Sequence, residues 1–193
     1  MAVGLVGRDG ELREIGAFLS ELERGPAALI LVGAAGIGKT VLWHAAIRDA
    51  QARFGQVLTC RGVEAEASLS FASLSELLEP VLPDILEHVP TPRRRALEVA
   101  LLLAEPGDSA PAPLAIGLAL LQVLRVLSQR SPLVVAADDL RWIDPASAAA
   151  LQVAFRRLRD ERVGLLATMS DPGRDRDSIT FPSTPCRSVR CQG

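Results

Sequence analysis

The sequence contains no tyrosine, and aromatic residues make up 4% of its 193 residues, so its core must be built from aliphatic side chains. Net charge is small. Lys and Arg number 21 against 23 Asp and Glu, a balance of −2 that offers no electrostatic footprint for nucleic acid or an anionic membrane. Three cysteines, an odd number, argue against a disulfide framework and suit a reducing compartment. Cys60 falls in an expected buried strand. Cys186 and Cys191 lie in polar sequence without a nearby histidine, so no metal site is expected on them. The longest apolar stretch, 114–127, is broken by Gln122 and Arg125. A membrane span needs about 18–20 apolar residues in a row. The first nine residues lack the basic lead and long apolar region of an export signal. A cytoplasmic protein that contacts neither DNA nor membrane directly is the expectation.

Lysine occurs once: Lys39 stands alone among 21 Lys and Arg residues. It stands in Gly33-Ala34-Ala35-Gly36-Ile37-Gly38-Lys39-Thr40, where Gly and Gly-Lys-Thr are separated by four residues. The motif follows the apolar run 27–32 and precedes a helix-compatible segment, the context in which this spacing forms a phosphate-binding loop. Glycines let the backbone take positive φ and approach a ligand closely. Successive N–H groups then form an anion-binding concavity, completed by the N-terminus of the following helix. Lys39 supplies a compact charge to the β- and γ-phosphates, and the Thr40 hydroxyl ligates Mg2+.

Along the chain, Leu12, Ile15, Leu19 and Leu22 recur at helical spacing after Asp9, an expected N-cap. The run 27–32 reads as a strand covered on both faces. A helix to about residue 51, a strand at 56–61 and a helix at 73–82 stopped by Pro80 and Pro83 come next. A helix at 93–104, a linker at 105–113 and an apolar helix at 114–129 follow. The strand 133–137 ends in Asp138-Asp139. Asp144-Pro145 then starts a helix, and 163–168 is a fourth strand. Residues 1–170 form the expected nucleotide-binding core, and 171–193 an irregular tail. Alternating strands and helices imply an α/β fold, a parallel sheet with helices on both faces.

Asp138-Asp139 is the natural partner of the glycine loop. A carboxylate at the carboxyl end of a strand can hold Mg2+ beside the phosphates, the role given to Asp138. Asp139 stands where a general base polarises the attacking water. Ligands of open α/β sheets bind at this end of the strands.

Together, Leu5-Val6-Gly7-Arg8-Asp9-x-Glu11-Leu12, the glycine loop and Asp138-Asp139-Leu-Arg-Trp142-Ile-Asp144-Pro145 resemble the AAA-type ATPase domain of large LuxR-family transcriptional regulators. These belong to the STAND class of signalling ATPases, close to origin-recognition-like AAA modules. The likeness runs from about residue 3 to residue 169. It implies a P-loop NTPase three-layer sandwich of AAA/ASCE type, with ATP and Mg2+ as cofactors. The strand 163–168 would insert between the loop strand and the Asp138 strand. The implied nucleotide contacts are Val6 and Gly7 near the adenine, with Arg8 stabilising that turn, then Gly33, Gly36, Ile37, Gly38, Lys39, Thr40, Val41 and Thr168. Thr40 and Asp138 take the metal; Asp139 and Lys39 act in catalysis. Trp142 and Asp144 shape the loop after the metal-binding strand.

The family usually runs Ala-Thr-x-Arg after the fourth strand, its arginine sensing the γ-phosphate. Here the run is Ala167-Thr168-Met169-Ser170, and the nearest downstream arginine is Arg174. The family also continues with a fifth strand, a helical lid and a helix-turn-helix, none of which is expected within 171–193. An isolated or truncated core with the lid absent is therefore expected, one that binds ATP as a switch and hydrolyses it slowly or not at all. A second copy or other regulatory domains are the open partners. A remnant without activity, and a regulator subunit reaching DNA through a partner, remain as alternatives. A GTPase does not, because its Asn-Lys-x-Asp guanine reader needs a second lysine.

Overall fold

The computed structural model describes residues 7–107, 111–170 and 186–191. Among the described residues, five strands form one parallel sheet in the order β2-β3-β4-β1-β5. They are β1 (Ala27–Gly33), β2 (Val57–Arg61), β3 (Leu133–Asp138), β4 (Val163–Ser170) and β5 (Cys186–Arg190). β4 lies between β1 and β3, as the resemblance implies. The helices are α1 (Asp9–Leu22), α2 (Lys39–Phe54), α3 (Ala72–Leu78), α4 (Leu82–Ile85), α5 (Thr91–Ala100), α6 (Pro113–Ser128) and α7 (Pro145–Phe155).

Side chains alternate across a strand with period two, and here each set meets a different layer. Leu29 and Leu31 of β1, with Val134 and Ala136 of β3, pack under α1 and α2. Ala28 and Ile30, with Val135 and Ala137, face the larger layer of α3, α5, α6 and α7. A strand buried on both faces needs apolar residues at every position, which is why these segments read as unbroken aliphatic runs. Two glycines allow close layering. A Cβ on Gly164 would lie 2.8 Å from Phe18 Cζ of α1, and one on Gly117 of α6 2.4 Å from Val153 Cγ1 of α7.

Several expectations are corrected. Segment 186–190 belongs to the sheet and not to an irregular tail: β5 pairs in parallel with β1, and Cys191 N donates to Val32 O at 2.7 Å. The strand escapes a periodicity reading because backbone bonds, and Arg187 paired with Glu14 and Glu21 of α1, hold it in place of apolar side chains. The helix expected at 73–82 ends at Leu78 ahead of Pro80, which has no N–H to continue it, and Pro83 lies in the first turn of the separate α4. α5 stops at Ala100 and not 104. Asp9 is the first helical residue, with Arg8 at the N-cap position. In the α1 stripe Leu12 stays exposed, and Phe18 joins Ile15, Leu19 and Leu22 inside. The expected contact Val6, and Arg174, lie outside the described residues.

Candidate functional site

β1 delivers the glycine loop to the carboxyl edge of the sheet, and α2 begins at Lys39 immediately after it. Gly36 at φ 76° and Gly38 at φ 95° are both left-handed, a backbone that residues with a Cβ rarely adopt. Gly38 serves as the N-cap of α2. The Lys39 ammonium folds over its own loop and donates to the carbonyls of Gly33 and Ala34, each at 2.9 Å. Gly7 stands in an exposed turn at φ 79°. Arg8 ties that turn to the loop, with Nη2 donating to Ile37 O at 2.5 Å and Nη1 to Glu11 Oε1 at 2.8 Å. Val41 lies on the exposed side of α2.

The second half of the site comes from strands far away in sequence. Asp138, at the end of β3, is 5% exposed, and its two carboxylate oxygens have different partners. Oδ1 accepts from the Thr168 hydroxyl at 2.6 Å. Oδ2 lies 3.4 Å from Thr40 Oγ1 and 3.3 Å from Arg61 Nη2. The same Thr168 oxygen accepts from Asp139 N at 2.8 Å, so one buried hydroxyl orients both acidic residues. Thr168 lines the cleft, but its single proton is already held by Asp138.

Asp139 adopts φ 53°, ψ 70°, a left-handed conformation uncommon outside glycine, and leads into a 3-10 turn at Leu140–Trp142. Its Oδ1 is buried with no hydrogen-bond partner among the described residues. Burial first, then the charge of Asp138, push its carboxyl above the usual range, against the opposing pull of Lys39 and Arg141. A carboxylate so placed is a better proton acceptor than a solvated one.

These groups surround a cleft of about 350 Å³ lined by Ala35, Gly36, Lys39, Thr40, Arg61, Gly62, Asp138, Asp139, Thr168 and Ser170. A larger cavity of about 490 Å³ lies at the other end of the strands, where Gln56 precedes β2, and holds none of this chemistry. The cleft's hydroxyl and carboxylate oxygens are hard ligands of the kind Mg2+ takes, and the unpartnered Asp139 oxygen leaves acceptor capacity beside them. The residues therefore fit a divalent cation with a phosphate chain.

Trp142 and Asp144 organise the loop behind the cleft. Arg141 stacks 5.0 Å over the Trp142 ring. Asp144 caps α7 by accepting from Ser147 N at 2.8 Å, and it also accepts from Phe71 N at 2.8 Å and Ser73 N at 3.1 Å. Burial alone would raise its carboxyl; the hydrogen bonds from Ser147, Phe71 and Ser73 outweigh that and hold it below the usual range.

Sequence reasoning missed two residues, Arg61 and Gly62. β2 pairs with β3 so that Arg61 is level with Asp138, and Gly62 N donates to Asp138 O at 2.8 Å. A glycine directly after a strand was the available signal, since it often marks close backbone approach.

A sequence-family profile described as AAA ATPase domain matches residues 4–167. No curated protein matches the chain in a sequence search. Among solved structures, the chain is similar to the ORC2 protein of Aeropyrum pernix at 18% identity and TM-score 0.58, over 98% of this chain and 48% of that one. It resembles Cdc6p of Pyrobaculum aerophilum at 14% identity and TM-score 0.60, over 98% of this chain and 46% of that one. A STAND protein with a tetratricopeptide repeat sensor from Pyrococcus horikoshii follows at 14% and 0.53, over 94% of this chain and 23% of that one. The chain thus spans about half the length of the ORC2 and Cdc6p proteins, and at these identities the likeness is one of fold. The profile covers both the glycine loop and Asp138-Asp139: the chain belongs to the AAA ATPase domain family, whose members bind nucleotide.

Proposed function

We propose that this chain is a Mg·ATP-binding switch domain of a signalling ATPase, part of a LuxR-type transcriptional regulator, with slow or absent hydrolysis. One observation carries the reading. Thr40 at the start of α2 and Asp138 at the end of β3, 98 residues apart, bring hydroxyl and carboxylate to 3.4 Å beside the glycine loop. Loop N–H groups bind the phosphates, and Lys39 exchanges its two carbonyl partners for β- and γ-oxygens. Thr40 and Asp138 would hold Mg2+, which would supply charge neutralisation for the phosphate chain. Thr168 keeps Asp138 and Asp139 in place, and Asp139 accepts a proton from the attacking water.

Two features support slow turnover. An Asp base is one methylene shorter than the Glu often used, and Ser170 stands where the related pattern carries its sensing arginine. The near-neutral charge supports an output through other domains or a second copy and not through DNA contact by this chain.

The test is equilibrium binding of ATP with and without Mg2+ to wild type, Lys39→Ala and Asp138→Ala. Lys39→Ala is expected to weaken ATP binding at least about tenfold, as loss of a charge-assisted contact does. Asp138→Ala should remove the Mg2+ dependence. Unchanged affinity in both variants would sink the assignment. Binding without phosphate release would leave the switch standing and remove hydrolysis.

A further inference from the structure

We propose that Arg61 reads the terminal phosphate: it rests on Asp138 in the nucleotide-free protein and moves to the third phosphate when Mg·ATP binds. This rests on the Mg·ATP reading above and adds the residue that separates ATP from ADP. Arg61 and Lys39 are the two cations among the described residues lining the cleft. Lys39 sits within the loop itself, while Arg61 approaches from the far side on β2, where strand register places it level with Asp138. Its Nη2 lies 3.3 Å from Asp138 Oδ2, the same oxygen that faces Thr40. Oδ1 is taken by Thr168, so Oδ2 is the oxygen that would be open to a divalent ion, and two cations could not both hold it without repelling each other. The Arg61 side chain is 54% exposed, so its present ion pair is weak and it has room to swing. Its backbone is anchored meanwhile, with Arg61 N donating to Glu76 Oε2 at 2.9 Å and the next N–H to Asp138 O.

With Asp138 Oδ2 given over to a divalent ion, the Arg61 guanidinium would be free to turn to a third phosphate, the group that ATP carries and ADP lacks. A planar guanidinium suits phosphate oxygens, which it contacts through two N–H groups at once. ADP lacks that group, so Arg61 contributes to ATP affinity and little to ADP affinity. It also supplies what Ser170, at the end of β4, cannot.

Calorimetric titration of ATP and of ADP, each with Mg2+, into wild type, Arg61→Ala and Arg61→Lys tests this. Thermal melts of each variant confirm that it is folded. Arg61→Ala is expected to lose about tenfold to a hundredfold in ATP affinity, the effect of one charge-assisted phosphate contact, while ADP affinity changes less than about twofold. Arg61→Lys should recover part of the difference. Equal losses for both nucleotides, or no loss for either, overturn the proposal. Tighter Mg2+ dependence with an unchanged ATP-to-ADP ratio also overturns it, leaving Arg61 as a counter-ion of Asp138. If wild type binds neither nucleotide, the Mg·ATP reading fails and this one with it. If wild type binds both and Arg61→Ala leaves their ratio unchanged, only this one fails.

Discussion

Gly62 has no room for a methyl group. An ideal Cβ there would lie 2.4 Å from Asp139 O, 2.8 Å from Ile143 N and 2.8 Å from Trp142 C. All three are backbone atoms, so the loop carrying Asp139 must shift as a whole to admit it. Gly62→Ala is therefore expected to cost ~1–3 kcal/mol, the usual penalty of overpacking. Urea unfolding measures that loss, and ATP titration should show weaker binding because Asp138 and Asp139 move with the loop. The glycine loop and Asp138-Asp139 were legible in the sequence because their chemistry demands particular residues at local spacing. Arg61 and Gly62 were not. Their roles come from the register of β2 on β3, a pairing between segments more than seventy residues apart.

Among the elements, the joint between α3 and α7 is held by two side chains, Asp144 and Ser147. Asp144 caps its own helix and satisfies Phe71 N and Ser73 N at the start of the other, while Ser147 Oγ accepts from Leu74 N at 2.9 Å. Asp144→Ala leaves three backbone donors without their acceptor and is expected to cost ~2–4 kcal/mol. The pH dependence follows from its lowered carboxyl. A group whose folded pKa lies below its unfolded value contributes fully above the unfolded value, ~3.9 for Asp, and loses that contribution as pH falls through the folded one. Wild type should therefore lose stability on acidification below about pH 4 more steeply than Asp144→Asn, a difference read from urea midpoints across that range. Half of this joint was readable: Asp-Pro before a helical stretch announces a cap. The other half, Phe71 and Ser73, lies 73 and 71 residues away and leaves no local mark. β5 was illegible for a related reason, since Cys-Arg-Ser-Val-Arg carries neither an apolar run nor alternation, and its ladder to β1 defines it.

Across the whole molecule, the site joins the loop after β1 to the ends of β2, β3 and β4, so nucleotide held there ties the sheet together. At about one hundred times its Kd, a ligand specific to the native state adds ~2.7 kcal/mol. For a chain of this size that raises Tm by about 5–11 °C, so a melt with Mg·ATP against one without should shift upward in wild type and by about half as much or less in Lys39→Ala. The family likeness gave one part of the strand order, β4 between β1 and β3, and left β2 and β5 unplaced; aliphatic runs identify strands but carry no record of their neighbours.

That order also bears on how the protein is made. β1 takes its partners from β4 and β5, and Ala27 pairs across to Gly164, 137 positions later (164 − 27). A ribosome adding ~5–20 residues per second needs on the order of ten seconds to cover that interval. Throughout it the loop strand, the most aliphatic piece of the early chain, has neither of its sheet neighbours. The binding site is therefore completed only after β4 has followed, long after its glycine loop.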